Sequence, residues 1–88
     1  MAKQSHIIFG VHVTDRITRA ADVQDLFTKY GCNIKTRIGL HQVSGEHCSP
    51  GGVILLEMFG DEATCYELRD KLGSIDGIEV KEMVFSHD

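Results

Sequence analysis

Twice along this chain the spacing of apolar residues switches from every second position to every third or fourth and back, a rhythm that requires helices packed on a sheet. Ile7, Phe9, Val11 and Val13 alternate with His6, Ile8, Gly10 and His12, which predicts a first strand with one wholly apolar side. Thr14 or Asp15 is the expected cap of a helix whose apolar positions Ile17, Ala20, Val23, Phe27 and Tyr30 follow the 3.6-residue period. Gly31 is the expected residue just past its end. Alternation returns after Asn33, with Ile34, Thr36, Ile38 and Leu40 on one side of a second strand and Lys35, Arg37, Gly39 and His41 on the other. Val43 to Gly52 is polar and carries Gly45, Pro50, Gly51 and Gly52, so a hairpin loop is expected there. Val53 to Phe59 reads as a third strand, apolar on both sides except at Glu57. Asp61 then caps a second helix with Cys65, Leu68 and Leu72 inward and Gly73 at its close, and Ser74 to Gly77 turns the chain into a fourth strand, Ile78 to Phe85.

Two strand-helix-strand units with right-handed crossovers interleave into an antiparallel sheet of order 4-1-3-2 with both helices on one face. The expected class is therefore α+β, of the β-α-β-β-α-β kind, with one domain over residues 1–88. The first and third strands are the most apolar and belong in the centre, while Lys, Arg and Glu on the second and fourth suit edges. At this length folding removes only about 60 to 65% of the unfolded chain's surface from water, so the core is thin.

The composition narrows the function. A net charge of −4 with basic residues scattered along the chain offers no footprint for a phosphate backbone, and direct nucleic-acid binding is not expected. The longest apolar runs, such as Val53 to Leu56, fall far short of the roughly 20 residues that cross a bilayer. Met1-Ala2-Lys3-Gln4 begins no signal peptide, so a cytoplasmic protein without membrane attachment is expected. Cys32, Cys48 and Cys65 include no C-x-x-C pair and are expected as reduced thiols. No serine lies in a G-x-S-x-G turn and no cysteine has the context of an activated thiolate, so catalysis is not expected. Acylphosphatases share this topology, but Gly10-Val11-His12-Val13-Thr14-Asp15-Arg16 lacks the inner glycine of their phosphate cradle and puts an aspartate where phosphate charge would sit.

Three groups of residues stand out. His12, His41, His47 and Cys48 fall toward one end of the sheet, and His41, His47 and Cys48 are the candidate ligands for a transition metal such as zinc or nickel. The backbones of His12 and His41, two strands apart, lie ~10 Å from each other, so a site within one chain needs the following loop to fold between them. Asp15 and Arg16 stand at the expected start of the first helix, where free N–H groups favour a small anionic effector. Ile8, Val53, Leu55 and Phe59, with Met83 or Phe85, fall on the sheet face opposite the helices beside Lys35, Arg37 and Glu57, and such a patch predicts a homo-oligomer, a dimer or tetramer.

Asp15-Arg16 after the first strand, the Ile34-Lys35-Thr36-Arg37-Ile38-Gly39 strand, and Lys71-Leu72-Gly73-Ser74-Ile75-Asp76-Gly77-Ile78-Glu79-Val80-Lys81 resemble the small ACT-like proteins known as iron-only hydrogenase system regulators. The resemblance runs from about Ile7 to Phe85. It implies an ACT-like or ferredoxin-like fold, a regulatory role and dimers or higher oligomers, and it supplies no ligand. A wider likeness is to the C-terminal domain of nickel-responsive repressors. Leu40-His41-Gln42-Val43 lacks that family's His-x-His, and Val53-Ile54-Leu55-Leu56-Glu57 lacks its cysteine, so their nickel site does not carry over. The expected function is a regulatory, small-ligand-binding domain that self-associates, with a metal-responsive module or a ligand-free interaction domain as alternatives.

Overall fold

The computed structural model describes residues 5–14, 19–44 and 47–86, with the backbone alone over 41–44 and 47–51. In chain order the elements are β1 (Ser5–Val13), α1 (Ala20–Lys29), a 3-10 turn (Gly31–Asn33), β2 (Ile34–Ser44), β3 (His47–Met58), α2 (Glu62–Gly73) and β4 (Ile78–Ser86). The sheet has the order β2-β3-β1-β4 and every pairing is antiparallel, so the fold is α+β and β-α-β-β-α-β as the apolar rhythm requires.

The core forms where the odd-numbered side chains of β1 meet the helices. Ile7, Phe9 and Val11 pack with Leu56 and Met58 of β3, with Val23, Phe27 and Tyr30 from α1 and its end, and with Cys65, Leu68 and Leu72 of α2. Ile75, ahead of β4, and Ile78, its first residue, close this layer. Burying each such side chain contributes about 1.5–3 kcal/mol, and a chain this short has few of them. Arg69 on α2 bonds Glu82 on β4 at 2.9 Å, and its guanidinium lies 4.6 Å from the Tyr66 ring, tying helix to strand at the rim.

Several local expectations give way to tertiary pairing. Where a loop is expected from Val43 to Gly52, the described residues 43–44 and 47–52 are strand: Val43 pairs with Cys48 and Ser44 with His47. Because β1 ends at Val13 opposite Gly52, this part of the hairpin projects past the sheet as a two-stranded arm. In the arm β3 has, among the described residues, a neighbour on one side only, the edge position in which a strand tolerates Pro50. The molecule is accordingly elongated, 51 × 23 × 17 Å.

The helix ends differ too. Thr14 does not cap α1; its N–H and hydroxyl both donate to the Gly77 carbonyl, at 2.9 and 3.0 Å, fastening the end of β1 to the turn before β4. α1 starts at Ala20 without a side-chain cap, and Arg19 pairs instead with Asp22. Gly31 opens the 3-10 turn and Gly73 lies inside α2, so neither takes the left-handed conformation. Asp61 does cap α2, accepting from the Thr64 N–H at 3.0 Å and its hydroxyl at 2.8 Å.

Candidate functional site

The site is built by the sheet face that the helices leave open. Register places three rows across it in the strand order β2, β3, β1, β4: Thr36, Glu57, Ile8 and Met83; then Ile38, Leu55, Gly10 and Lys81; then Leu40, Val53, His12 and Glu79. A further pair, His6 opposite Phe85, stands beyond the first row. At the centre the missing side chain of Gly10 leaves room that Leu55 occupies, its Cδ2 3.9 Å from where a Cβ would stand.

This patch is larger than the alternation predicts. A register shift between Ile34 and Thr36 turns the two ends of β2 to different sides. Ile34 opposes buried Met58 and packs against the core, whereas Ile38 and Leu40 remain on the open face. Arg37 therefore leaves the open face: it opposes buried Leu56, and its guanidinium lies 5.2 Å from the Phe27 ring of α1. Ile38, Leu40, Phe59, Met83 and Phe85 keep 50, 51, 61, 52 and 52% of their surface exposed, while Ile8, Val53 and Leu55 are half-buried beside them.

The Glu57 carboxylate sits inside this apolar field, whereas Glu79 stands on its β4 edge. Glu57 accepts from the Thr36 hydroxyl at 2.9 Å through one oxygen and meets His6 Nε2 at 2.9 Å through the other. The His6 ring in turn lies 6.3 Å from that of Phe85, so a polar and aromatic chain crosses all four strands. The His6 bond, then that of Thr36, holds the Glu57 carboxyl below the usual carboxylate range, and the charge of Lys35 at the bulge adds to this. Beside the pair, a cavity of about 260 Å³ opens at the sheet's end, lined by His6, Lys35, Glu57, Met58, Phe59 and Cys65 among others. Burial pushes the Cys65 thiol up, keeping it protonated and unreactive, and it donates to the Phe59 carbonyl at 3.7 Å.

The helix side carries a separate charged cluster. The Lys29 and Lys71 amines lie 5.6 and 5.4 Å from the Tyr30 ring, and Lys71 pairs with Glu67 at 3.3 Å. The neighbouring Lys71 amine holds that of Lys29 below its ordinary value. Both lysines lie near helix C-termini, where positive charge stabilises the last carbonyls.

Of the residues expected to meet a partner, Ile8, Val53, Leu55, Met83 and Phe85 fall together on the open face, register placing both β4 candidates there, and Phe59 stands exposed just past the end of β3. Asp15 and Arg16 lie outside the described residues. The backbones of His41, His47 and Cys48 run along the extended arm, while His12 stays on β1 opposite Val53; the side chains of the three lie outside the described residues. Among the described residues no three His, Cys, Asp or Glu side chains stand close enough to hold a metal ion. No described helix is long and apolar enough to cross a membrane. The Glu57 contacts with His6 and Thr36 went unread in the sequence, where the three residues are up to 51 positions apart.

The chain is similar to one Thermotoga maritima structure. That protein, described only as uncharacterized protein TM1266, superimposes with a TM-score of 0.76 at 28% sequence identity, covering 94% of this chain and 98% of its own. No protein-family model and no curated protein matches the chain.

Proposed function

We propose that this domain is a regulatory module that self-associates through its open sheet face and responds to a small ligand, the role implied by its resemblance to iron-only hydrogenase system regulators. The observation that carries the reading is the open face itself, with seven apolar side chains from all four strands and exposed Phe59 just past the end of β3. Patches of this kind on small domains mark places where a partner binds.

Sedimentation equilibrium over a range reaching high micromolar concentration tests the association. Dimers or larger species are expected, and Ile38→Lys, which sets a charge within the patch without touching the core, is expected to weaken association at least ~tenfold, or about 1.4 kcal/mol. Monomers throughout would remove the reading. A thermal-shift screen of amino acids tests the effector: one that binds the native state at 100 times its dissociation constant stabilises it by about 2.7 kcal/mol, and no shift from any of them would leave the interaction role alone.

A further inference from the structure

The geometry points to Lys29 as an acyl-acceptor amine, a modification site at which an acyl phosphate transfers its acyl group to this chain ahead of the other exposed lysines. Two helices bring two ammonium groups to one ring. Lys29 in the last turn of α1 and Lys71 in the last turn of α2 lie 5.6 and 5.4 Å from the centre of the buried Tyr30 ring. The ring face attracts either cation, but two like charges side by side disfavour each other. One of the two amines has to yield, and the surroundings decide which. Lys71 pairs with Glu67 at 3.3 Å, and Tyr30, Lys29 and Glu67 together push its amine up, so it keeps its proton. Among the described residues Lys29 forms no ion pair, and Lys71 beside it holds its amine down. Lys29 is thus the member of the pair that presents a free lone pair more readily.

The groups around Lys29 come from both helices. α1 contributes Asp25 and the Arg19–Asp22 pair, and α2 contributes Lys71 and Glu67; of these Lys71 acts most strongly on the amine, and Glu67 opposes it. Exposure does not separate the lysines, because Lys29, Lys35 and Lys81 are all exposed. Lys35 lies beside the Glu57 carboxylate, and Lys81 stands opposite Gly10 in the sheet. A cavity of about 320 Å³ opens where the two helices end, lined by Lys29, Lys71, Arg19, Asp25, Leu26 and Ser74 among others, and it gives a small acyl phosphate room to approach.

In the transfer the neutral Lys29 Nζ attacks the acyl carbon with its lone pair. The bond from that carbon to the phosphate oxygen breaks, inorganic phosphate leaves with the electron pair, and the extra proton of the amine passes to water. Protonated Lys71 stands beside the amine and stabilises the negative charge of the departing phosphate. The product is an amide at Lys29, which removes one of the two neighbouring charges and leaves Lys71 to Glu67 and the ring.

Limiting acetyl phosphate, incubated with the full chain at about pH 8, is the probe, and peptide mass spectrometry reads the initial acetylation rates of Lys29, Lys35 and Lys81. Lys29 is expected to react at least ~threefold faster than either of the others. Lys71→Gln removes the neighbouring charge and is expected to bring Lys29 down to their rate, whereas Lys71→Arg keeps the charge and is expected to preserve most of the lead. Lys35 and Lys81 serve in each variant as the internal reference. A wild-type Lys29 no faster than Lys35 and Lys81 overturns the inference. So does a lead that persists in Lys71→Gln, since the neighbouring charge then has no part in it. Independently of any variant folding, the acetylation rate of Lys29 in the wild type is expected to rise at lower pH than the rates of Lys35 and Lys81; three coincident pH profiles also overturn the inference.

Discussion

At Gly60 the backbone turns with φ of 92°, a conformation that side chains rarely adopt, and an added Cβ would stand 3.0 Å from the Asn33 amide nitrogen. That amide is already committed, donating to the Phe59 carbonyl at 3.0 Å while the Phe59 N–H donates to the Asn33 carbonyl at 2.8 Å. Gly60→Ala is therefore expected to cost about 1–3 kcal/mol, seen as a lower urea midpoint with an unchanged slope. A single residue also redirects β2. The bulge at Lys35 places Ile34 in the core and Arg37 over Phe27, so the side chains of this strand follow its register with β3 and not their own unbroken alternation.

Among the elements, α2 has an Asp61 cap with two bonds to Thr64, whereas α1 has no side-chain cap and leans on its packing through Val23 and Phe27. Asp61→Ala is expected to destabilise the domain by ~1 kcal/mol, with Asp61→Asn losing less because an amide oxygen still accepts from the Thr64 N–H. Thermal or urea melts of the two variants check this order, and equal losses would show that the cap bond contributes nothing. The β2–β3 arm illustrates the opposite balance. Its glycines and proline argue for a loop, yet pairing of Val43 with Cys48 and Ser44 with His47 continues both strands beyond the sheet.

For the whole molecule the margin is narrow, since 88 residues at about 0.05–0.15 kcal/mol each leave a net stability of only ~4–13 kcal/mol. Leu68 is fully buried at the centre of the helix-facing core. Leu68→Ala is expected to lose about 3 kcal/mol, a large share of that total, measured by chemical denaturation with self-association held constant by fixed protein concentration. Mass on one side of the sheet and apolar side chains on the other make an asymmetric object, with core residues beneath the helices and an exposed apolar patch on the far side.

From its own spacing of apolar residues the sequence determined the class of the fold, the order of the strands, the inward faces of β1 and α2, and the open-face position of five of the six residues expected to meet a partner. Periodicity is a local property, carried within each segment, and it survives whatever that segment meets. Only the tertiary structure decided the bulge at Lys35, the extended arm and the meeting of His6, Thr36 and Glu57. Each depends on which residue of one strand stands opposite which residue of another, and strand register is set by the packed sheet as a whole.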